Sequence, residues 1–299
     1  MKIIIIGASG VIGYQLFLTL KSKGKKVIGT YSNNKKKGLK KFNILSDRIN
    51  KFVKIKEEDI VILLTAISNP TFVYKNPNLS KNINIVATKK IIDDLKIIGC
   101  KLYFMSSIEV FDGKKGNYSE NSLPNPLNLY GRQKFHIEKY LKKNLKNYCI
   151  MRTSFIVGKD PNQRCPVKLT YDSLLQPEAK MAKDNFFAIT SVEDLCKIIY
   201  ILMFDKKLSG LKICHLSSKE RISRVNLAND VVKFSKHGFK MNFKNTLFKF
   251  IKYTEPRGRQ NNLISINPIL NQYKYQKAKL VIKRKIRIID KNNETSYSK

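Results

Sequence analysis

Tryptophan is absent from this chain, histidine occurs only 3 times, and acidic residues number 22 against 58 lysines and arginines. With so few histidines, none at metal-ligand spacing (His136, His215, His237), no metal centre is expected. The five cysteines are scattered, odd in number and contain no Cys-x-x-Cys, so neither a disulfide framework nor a redox pair is indicated. A reduced, cytoplasmic protein with inert thiols is the expectation. No apolar run approaches the roughly 20 residues that cross a bilayer. The apolar start, Ile3–Ile6, is too short for a signal peptide and reads as a strand. The shortage of acids leaves a formal charge of +36 on 299 residues. Such a charge attracts anions, whether nucleotides, nucleic acid or an acidic membrane surface; the competing account is a solvated lysine-rich exterior.

What is present begins with Met-Lys-Ile-Ile-Ile-Ile-Gly7-Ala-Ser-Gly10-Val-Ile-Gly13. A β-branched run that enters Gly-x-x-Gly-x-x-Gly and then an amphipathic helix (Ile12, Leu16, Leu20) is a nucleotide-binding βα unit. The glycines permit the tight turn, and the helix N-terminus receives a pyrophosphate. Strand patterns recur at Lys26–Thr30, Asp59–Thr65, Lys101–Ser106, Tyr148–Arg152 and Lys212–Ser217. Helical patterns cover Asn84–Ile98, Ser191–Phe204 (Ser191 as N-cap, Asp194 in the first turn) and Arg224–Phe234. The alternation predicts an α/β fold, a Rossmann-type doubly wound parallel sheet, with a smaller C-terminal lobe. Residues 1–155 with 184–218 are expected in the nucleotide-binding domain, and 156–183 with 219–299 in the substrate lobe. The polar tail from Asn292 is expected to fray.

Tyr130-Gly-Arg-Gln-Lys134 places a phenol and an ammonium on one helix face. An ammonium about 5 Å from a phenol, at an effective dielectric near 20, favours the phenolate by roughly 3 kcal/mol, about two pKa units. A lowered Tyr130 pKa is therefore expected. Ser107 ends the Lys101–Ser106 strand pattern, at the carboxyl edge where ligands bind in such sheets.

The glycine motif, Ser107 and the Tyr130/Lys134 pair resemble the extended short-chain dehydrogenase/reductases. Ser106–Gly113, Tyr118–Glu120, Pro124–Lys134, Arg152–Ser154, Thr190–Leu195, His215–Ser217, Ser223-Arg224 and Pro256-Arg257 are similar to the dTDP-4-dehydrorhamnose reductase branch. The resemblance implies that Tyr130 protonates the carbonyl oxygen of a keto sugar, Lys134 holds the nicotinamide ribose, and Ser107 bonds the substrate oxygen. It further implies cofactor contacts at Gly7, Ser9, Gly10, Val11, Ile12 and Gly13. Others are expected at Ser32, Lys35, Thr65, Ala66 and Asn84. Where the branch reads Ser-Thr-Asp-Tyr, this chain has Ser106-Ser107-Ile108-Glu109. Ile108 cannot transfer a proton, which disfavours dehydration, while Glu109 remains as a substrate contact.

No acid follows the second strand, and Lys35–Lys37 does; NADP is expected over NAD, since an acid there would repel a 2′-phosphate. Arg257 and Arg259 are expected on the diphosphate of a nucleotide sugar. The expected activity is thus NADPH-dependent reduction of a nucleotide-linked 4-keto-6-deoxy sugar. The alternatives are a nucleotide-sugar epimerase and a regulatory subunit that binds NADP without turnover. The basic segment Lys274–Arg287 is expected to feel a weak pull from anionic membranes, and no motif for specific nucleic-acid binding accompanies the charge. The oligomeric state stays open, a homodimer included.

Overall fold

The computed structural model describes residues 1–239 and 243–297. Its strands in chain order are β1 (Ile3–Ile6), β2 (Val27–Tyr31), β3 (Leu39–Lys41), β4 (Ile60–Leu63), β5 (Lys101–Met105) and β6 (Tyr148–Arg152). There follow β7 (Phe155–Val157), β8 (Ala179–Ala182), β9 (Phe186–Ser191), β10 (Ile213–His215), β11 (Arg221–Ser223), β12 (Phe243–Thr246) and β13 (Gln260–Asn261). The α-helices are α1 (Val11–Ser22), α2 (Ile49–Phe52), α3 (Pro70–Lys75), α4 (Pro77–Lys81), α5 (Thr88–Ile98) and α6 (Leu129–Asn144). The remainder are α7 (Pro166–Leu174), α8 (Val192–Phe204), α9 (Arg224–Phe234), α10 (Pro268–Gln272) and α11 (Ala278–Tyr297).

Seven parallel strands pair in the order β10-β6-β5-β4-β1-β2-β3. The order reverses at β1, which lies between β4 and β2, and such a switch point opens a crevice at the carboxyl ends of the strands. Pleating explains why β1 is apolar throughout. Ile3 and Ile5 pack on one face with Leu16, Leu20, Leu195 and Ile199 of α1 and α8. Ile4 and Ile6 pack on the other with Ile92, Leu95, Ile137 and Leu141 of α5 and α6. A strand covered on both faces has no position left for a polar side chain. The helix patterns hold: Ser191 Oγ accepts the Asp194 N–H at 3.1 Å, capping α8, and Ser223 caps α9 in the same manner.

Two expectations change. Although placed with residues 184–218 in the nucleotide-binding unit, β9 pairs with β7, β11 and β13 in a separate four-stranded sheet; only from α8 does the chain return to the main sheet. The tail does not fray at Asn292, because α11 continues to Tyr297. The basic segment Lys274–Arg287 is divided between surface and core: Lys274, Lys277, Lys279, Arg284 and Arg287 are exposed. Within α11, Ala278, Val281, Ile282 and Ile286 are buried in the lobe core. Lys285 is only 1% exposed and turns inward to the carbonyls of Gly158 and Asp160. All five cysteines are buried free thiols, and no helix among the described residues is long and apolar enough to cross a membrane.

His215 on β10 ties the sheet to the loops around it. Its Nδ1 lies 3.0 Å from the carbonyls of both Tyr118 and Ile264, so that nitrogen carries the proton and donates. Burial pushes the imidazole pKa down to about 4, with the Arg152 charge adding to the effect and Glu120 opposing it. An unfolded chain takes up this proton near pH 6.5, and the folded one refuses it until about pH 4. Stability therefore falls as pH drops through that window. Between pH 7 and 5 the contribution lost is about 2 kcal/mol. Urea unfolding of wild type and His215→Gln at both pH values measures it: the variant should lose less stability, and equal losses would contradict this assignment.

Candidate active site

The glycine turn closes because no side chain intervenes. A Cβ on Gly13 would lie 2.4 Å from the Gly7 carbonyl oxygen, so α1 could not start this close to β1. Above the turn, a cavity of about 390 Å³ runs from Gly7, Gly10, Val11, Ile12 and Gly13 past Ala66 to Ser107, Glu109, Tyr130 and Lys134. A second cavity of about 210 Å³ shares Gly7, Gly10 and Ala66 with it and adds Ser9, Thr30, Ser32, Phe42, Ile44 and Thr65. Together they follow the carboxyl edge of the sheet across the β1/β4 switch point. A glycine cradle at a helix N-terminus, flanked by these two hollows, fits a dinucleotide.

Two caps set the height of Tyr130. Asn128 Oδ1 accepts the Gly131 N–H at 2.9 Å and starts α6, while its Nδ2 donates to Glu109 Oε2 at 2.6 Å. Gly131 is required: a Cβ there would lie 1.9 Å from the Glu109 carbonyl oxygen. Ser107 leaves β5 in extended conformation, and its Oγ accepts the Glu109 N–H at 3.2 Å. Lys134 is 5% exposed and donates from Nζ to the Met105 carbonyl at 2.8 Å. Its ammonium lies 4.7 Å from the Phe104 ring centroid and 5.9 Å from that of Tyr130.

The electrostatics differ from the expectation for the Tyr-Lys pair. Burial, with the Glu109 charge adding to it, pushes the Tyr130 phenol up rather than down; a hydrogen bond with Ser107 opposes this weakly. Burial likewise lowers Lys134 to about 8, against the pull of Glu138. Desolvation penalises both charged forms, and it outweighs an attraction that was reckoned at a solvated surface. Glu109 is raised by burial, with Asn128 and Arg257 acting the other way.

The same cavity is lined by three arginines, Arg164, Arg224 and Arg257. Of these only Arg257 has a carboxylate partner among the described residues, Glu255. Arg224 lies 4.4 Å from the Phe187 ring centroid, and burial, reinforced by a nearby Arg257, lowers it to about 10. Arg164 is lowered by the same two causes. Spacing on the sequence singled out neither Arg164 nor Arg224 for this role; the signal for Arg224 was the Ser223-Arg224 stretch shared with the reductase branch.

Three expected residues stand outside both cavities. Arg259 is an exposed partner of Asp184 at 3.4 Å. Lys35 lines neither hollow, and its neighbour Lys36 instead sits 4.6 Å over the Tyr14 ring. Asn84 spends its amide inside the protein, on the backbone of Ile67 and the side chain of Gln133.

Residues 1–246 match the sequence profile of the family described as RmlD substrate binding domain. The chain belongs to that family. It is also similar to methionine adenosyltransferase 2 subunit beta of Bos taurus, 23% identical over 235 residues, covering 76% of this chain and 70% of that protein. The fold is that of a dTDP-4-dehydrorhamnose reductase from Clostridium acetobutylicum, with TM-score 0.79, 22% identity, and coverage of 97% and 99% of the two chains. The Bacillus anthracis dTDP-4-dehydrorhamnose reductase, solved in complex with NADP, matches with TM-score 0.78 at 22% identity, covering 95% of this chain and 97% of that one.

With a pKa of about 8, Lys134 is charged at pH 7 and largely neutral at pH 9. An anionic dinucleotide is favoured by the charged form. Its binding should therefore weaken as pH rises through about 8, and Lys134→Met should bind weakly at both pH values. Titration of nicotinamide fluorescence would check this; an unchanged pH dependence in the variant would assign the ionisation to another group.

Proposed function

We propose that this protein is a reductase that uses NADPH, with NAD(H) as the weaker alternative, to reduce a nucleotide-linked 4-keto-6-deoxy sugar. One observation carries the reading: a single cavity is lined by a protonated phenol, a serine hydroxyl and three arginines. That is the charge pattern of a ligand with a neutral carbonyl at one end and a diphosphate at the other.

The cofactor would lie over Gly7, Gly10 and Gly13, with Ser9, Val11, Ile12, Thr65 and Ala66 around it, and supply the hydride. Ser107 would donate to the carbonyl oxygen and Tyr130 would pass its proton to the same atom. A raised pKa suits this direction, because the phenol is loaded with its proton at neutral pH. Lys134, held against the Met105 carbonyl, would stabilise the phenolate left behind. Arg257, fixed by Glu255 and Thr71, would grip the diphosphate together with Arg164 and Arg224. Glu109 would accept a sugar hydroxyl.

A second reading has its own support, the likeness to a methionine adenosyltransferase regulatory subunit: a protein that binds NADP and a partner without turnover. The test is a panel of 4-keto nucleotide sugars with NADPH, followed by loss of the reduced-nicotinamide absorbance. The reductase reading expects oxidation by wild type and a fall of about 10²–10⁴-fold in Tyr130→Phe, as for a missing general acid. Isomerised sugar without net oxidation would mean an epimerase. Tight NADPH binding with no turnover on any sugar would favour the regulatory subunit.

The arginines give a separate prediction. Arg224→Leu should raise KM for the nucleotide sugar roughly 10-fold or more while changing kcat little, the pattern for lost uniform binding. An unchanged KM would remove Arg224 from the substrate site.

A further inference from the structure

The wall between the two cavities is an irregular segment, residues 64–69, that joins β4 to α3. Leu64 and Ala66 line both cavities, Ser68 the larger only and Thr65 the smaller only. Leu64 still donates to Ile6 of β1 at 2.9 Å. Past that point a side chain replaces the strand partner. Asn84 Oδ1 accepts the Ile67 N–H at 2.9 Å, and Asn84 Nδ2 donates to the Ile67 carbonyl at 3.0 Å. The same nitrogen donates to Gln133 Oε1 at 2.7 Å, and Gln133 Nε2 donates to Ser80 Oγ at 2.9 Å. Ser80 in turn donates to the Pro77 carbonyl at 2.9 Å, closing the chain on α4.

Asn84, Gln133 and Ser80 are at most 4% exposed. Asn84 lies in a turn of π-helix, Asn82–Ala87, a widened geometry that often accompanies functional sites. Gln133 is on α6, directly before Lys134 and three residues after Tyr130. One buried amide relay thus joins the helix that presents Tyr130 and Lys134 to the segment that separates the two hollows.

We propose that Gln133 and Asn84 are positioning residues, which hold the 64–69 wall at a fixed distance from Tyr130 and Lys134 and so set how the dinucleotide seats. The proposal rests on reading the two cavities as the NADPH site. Neither side chain touches the ligand; both act through Ile67. Without the relay, two backbone groups of Ile67 and one face of Gln133 lose their partners, and the wall is free to settle elsewhere. Misplacement by about 1 Å is enough to cost 10²-fold in a reaction that depends on alignment.

The experiment measures NADPH affinity by nicotinamide fluorescence with no sugar present, alongside the melting temperature. Gln133→Met keeps length and removes both hydrogen bonds. It should raise the Kd for NADPH roughly tenfold at temperatures where the variant is fully folded, a readout that simple destabilisation would not move. Gln133→Glu retains an acceptor for Asn84 and should recover most of the affinity. Asn84→Leu with Gln133→Met should be no worse than Asn84→Leu alone, because the two act in series. Should Gln133→Met fail to fold, Ser80→Ala, which removes only the end of the relay, should raise the Kd by a few-fold. Wild-type affinity in whichever of these two variants folds, with wild type binding NADPH, overturns the proposal and leaves the cofactor site standing. Failure of wild type itself to bind overturns the cofactor reading and this proposal with it.

Discussion

The site stands on a buried ion pair, Arg152–Glu138. Both side chains are at most 1% exposed, and the Arg152 Nη2 to Glu138 Oε2 distance is 2.6 Å with a second contact, Nε to Oε1, at 2.9 Å. Ser106 donates to the same carboxylate at 2.5 Å, the guanidinium lies 5.1 Å from the Phe111 ring centroid, and His215 Nε2 faces it at 3.4 Å. Pairs of this kind cost desolvation, and removing one partner strands the other, typically at 3–5 kcal/mol. What the pair contributes here is placement. It joins the end of β6 to the middle of α6, one turn beyond Lys134, and joins both to the residue before Ser107. The phenol, the ammonium and the serine hydroxyl therefore share one anchor, and none can shift along the sheet edge without breaking it.

Burial that makes the anchor rigid also decides the chemistry above it. A Tyr-Lys pair at a wet surface would share charge as phenolate and ammonium. In this cavity both charged forms are penalised, so the phenol keeps its proton and the ammonium sits near its own titration point. Reduction of a carbonyl needs that arrangement: a loaded proton donor, and a cation close enough to receive the phenolate once hydride has arrived.

Local chemistry made much of this legible in the amino-acid sequence. The βα turn, the Tyr130–Lys134 spacing, the cap at Ser191 and the apolar strands each depend on residues within a few positions of one another. What escaped depends on distant segments. The three-residue β3 carries little periodicity, and β9 reads as a strand whichever sheet it joins. The tyrosine shift required knowing how much protein covers it. Asn84 matched a family position, but its partner Ile67 is reached only once α5 packs on α6. Arg259 and Arg257 are two residues apart and look alike in sequence, yet Asp184 holds the first at the surface while Thr71 and Glu255 hold the second at the cavity.

The arginine cluster bears on whether such a cavity serves binding or turnover. Burial lowers the pKa values of Arg164 and Arg224, and the charge of Arg257 beside them adds to the effect. Charges of one sign gathered in a cavity favour a bound anion. On the reductase reading proposed above, that anion is the diphosphate of the sugar substrate, and the cluster supplies orientation as well as affinity.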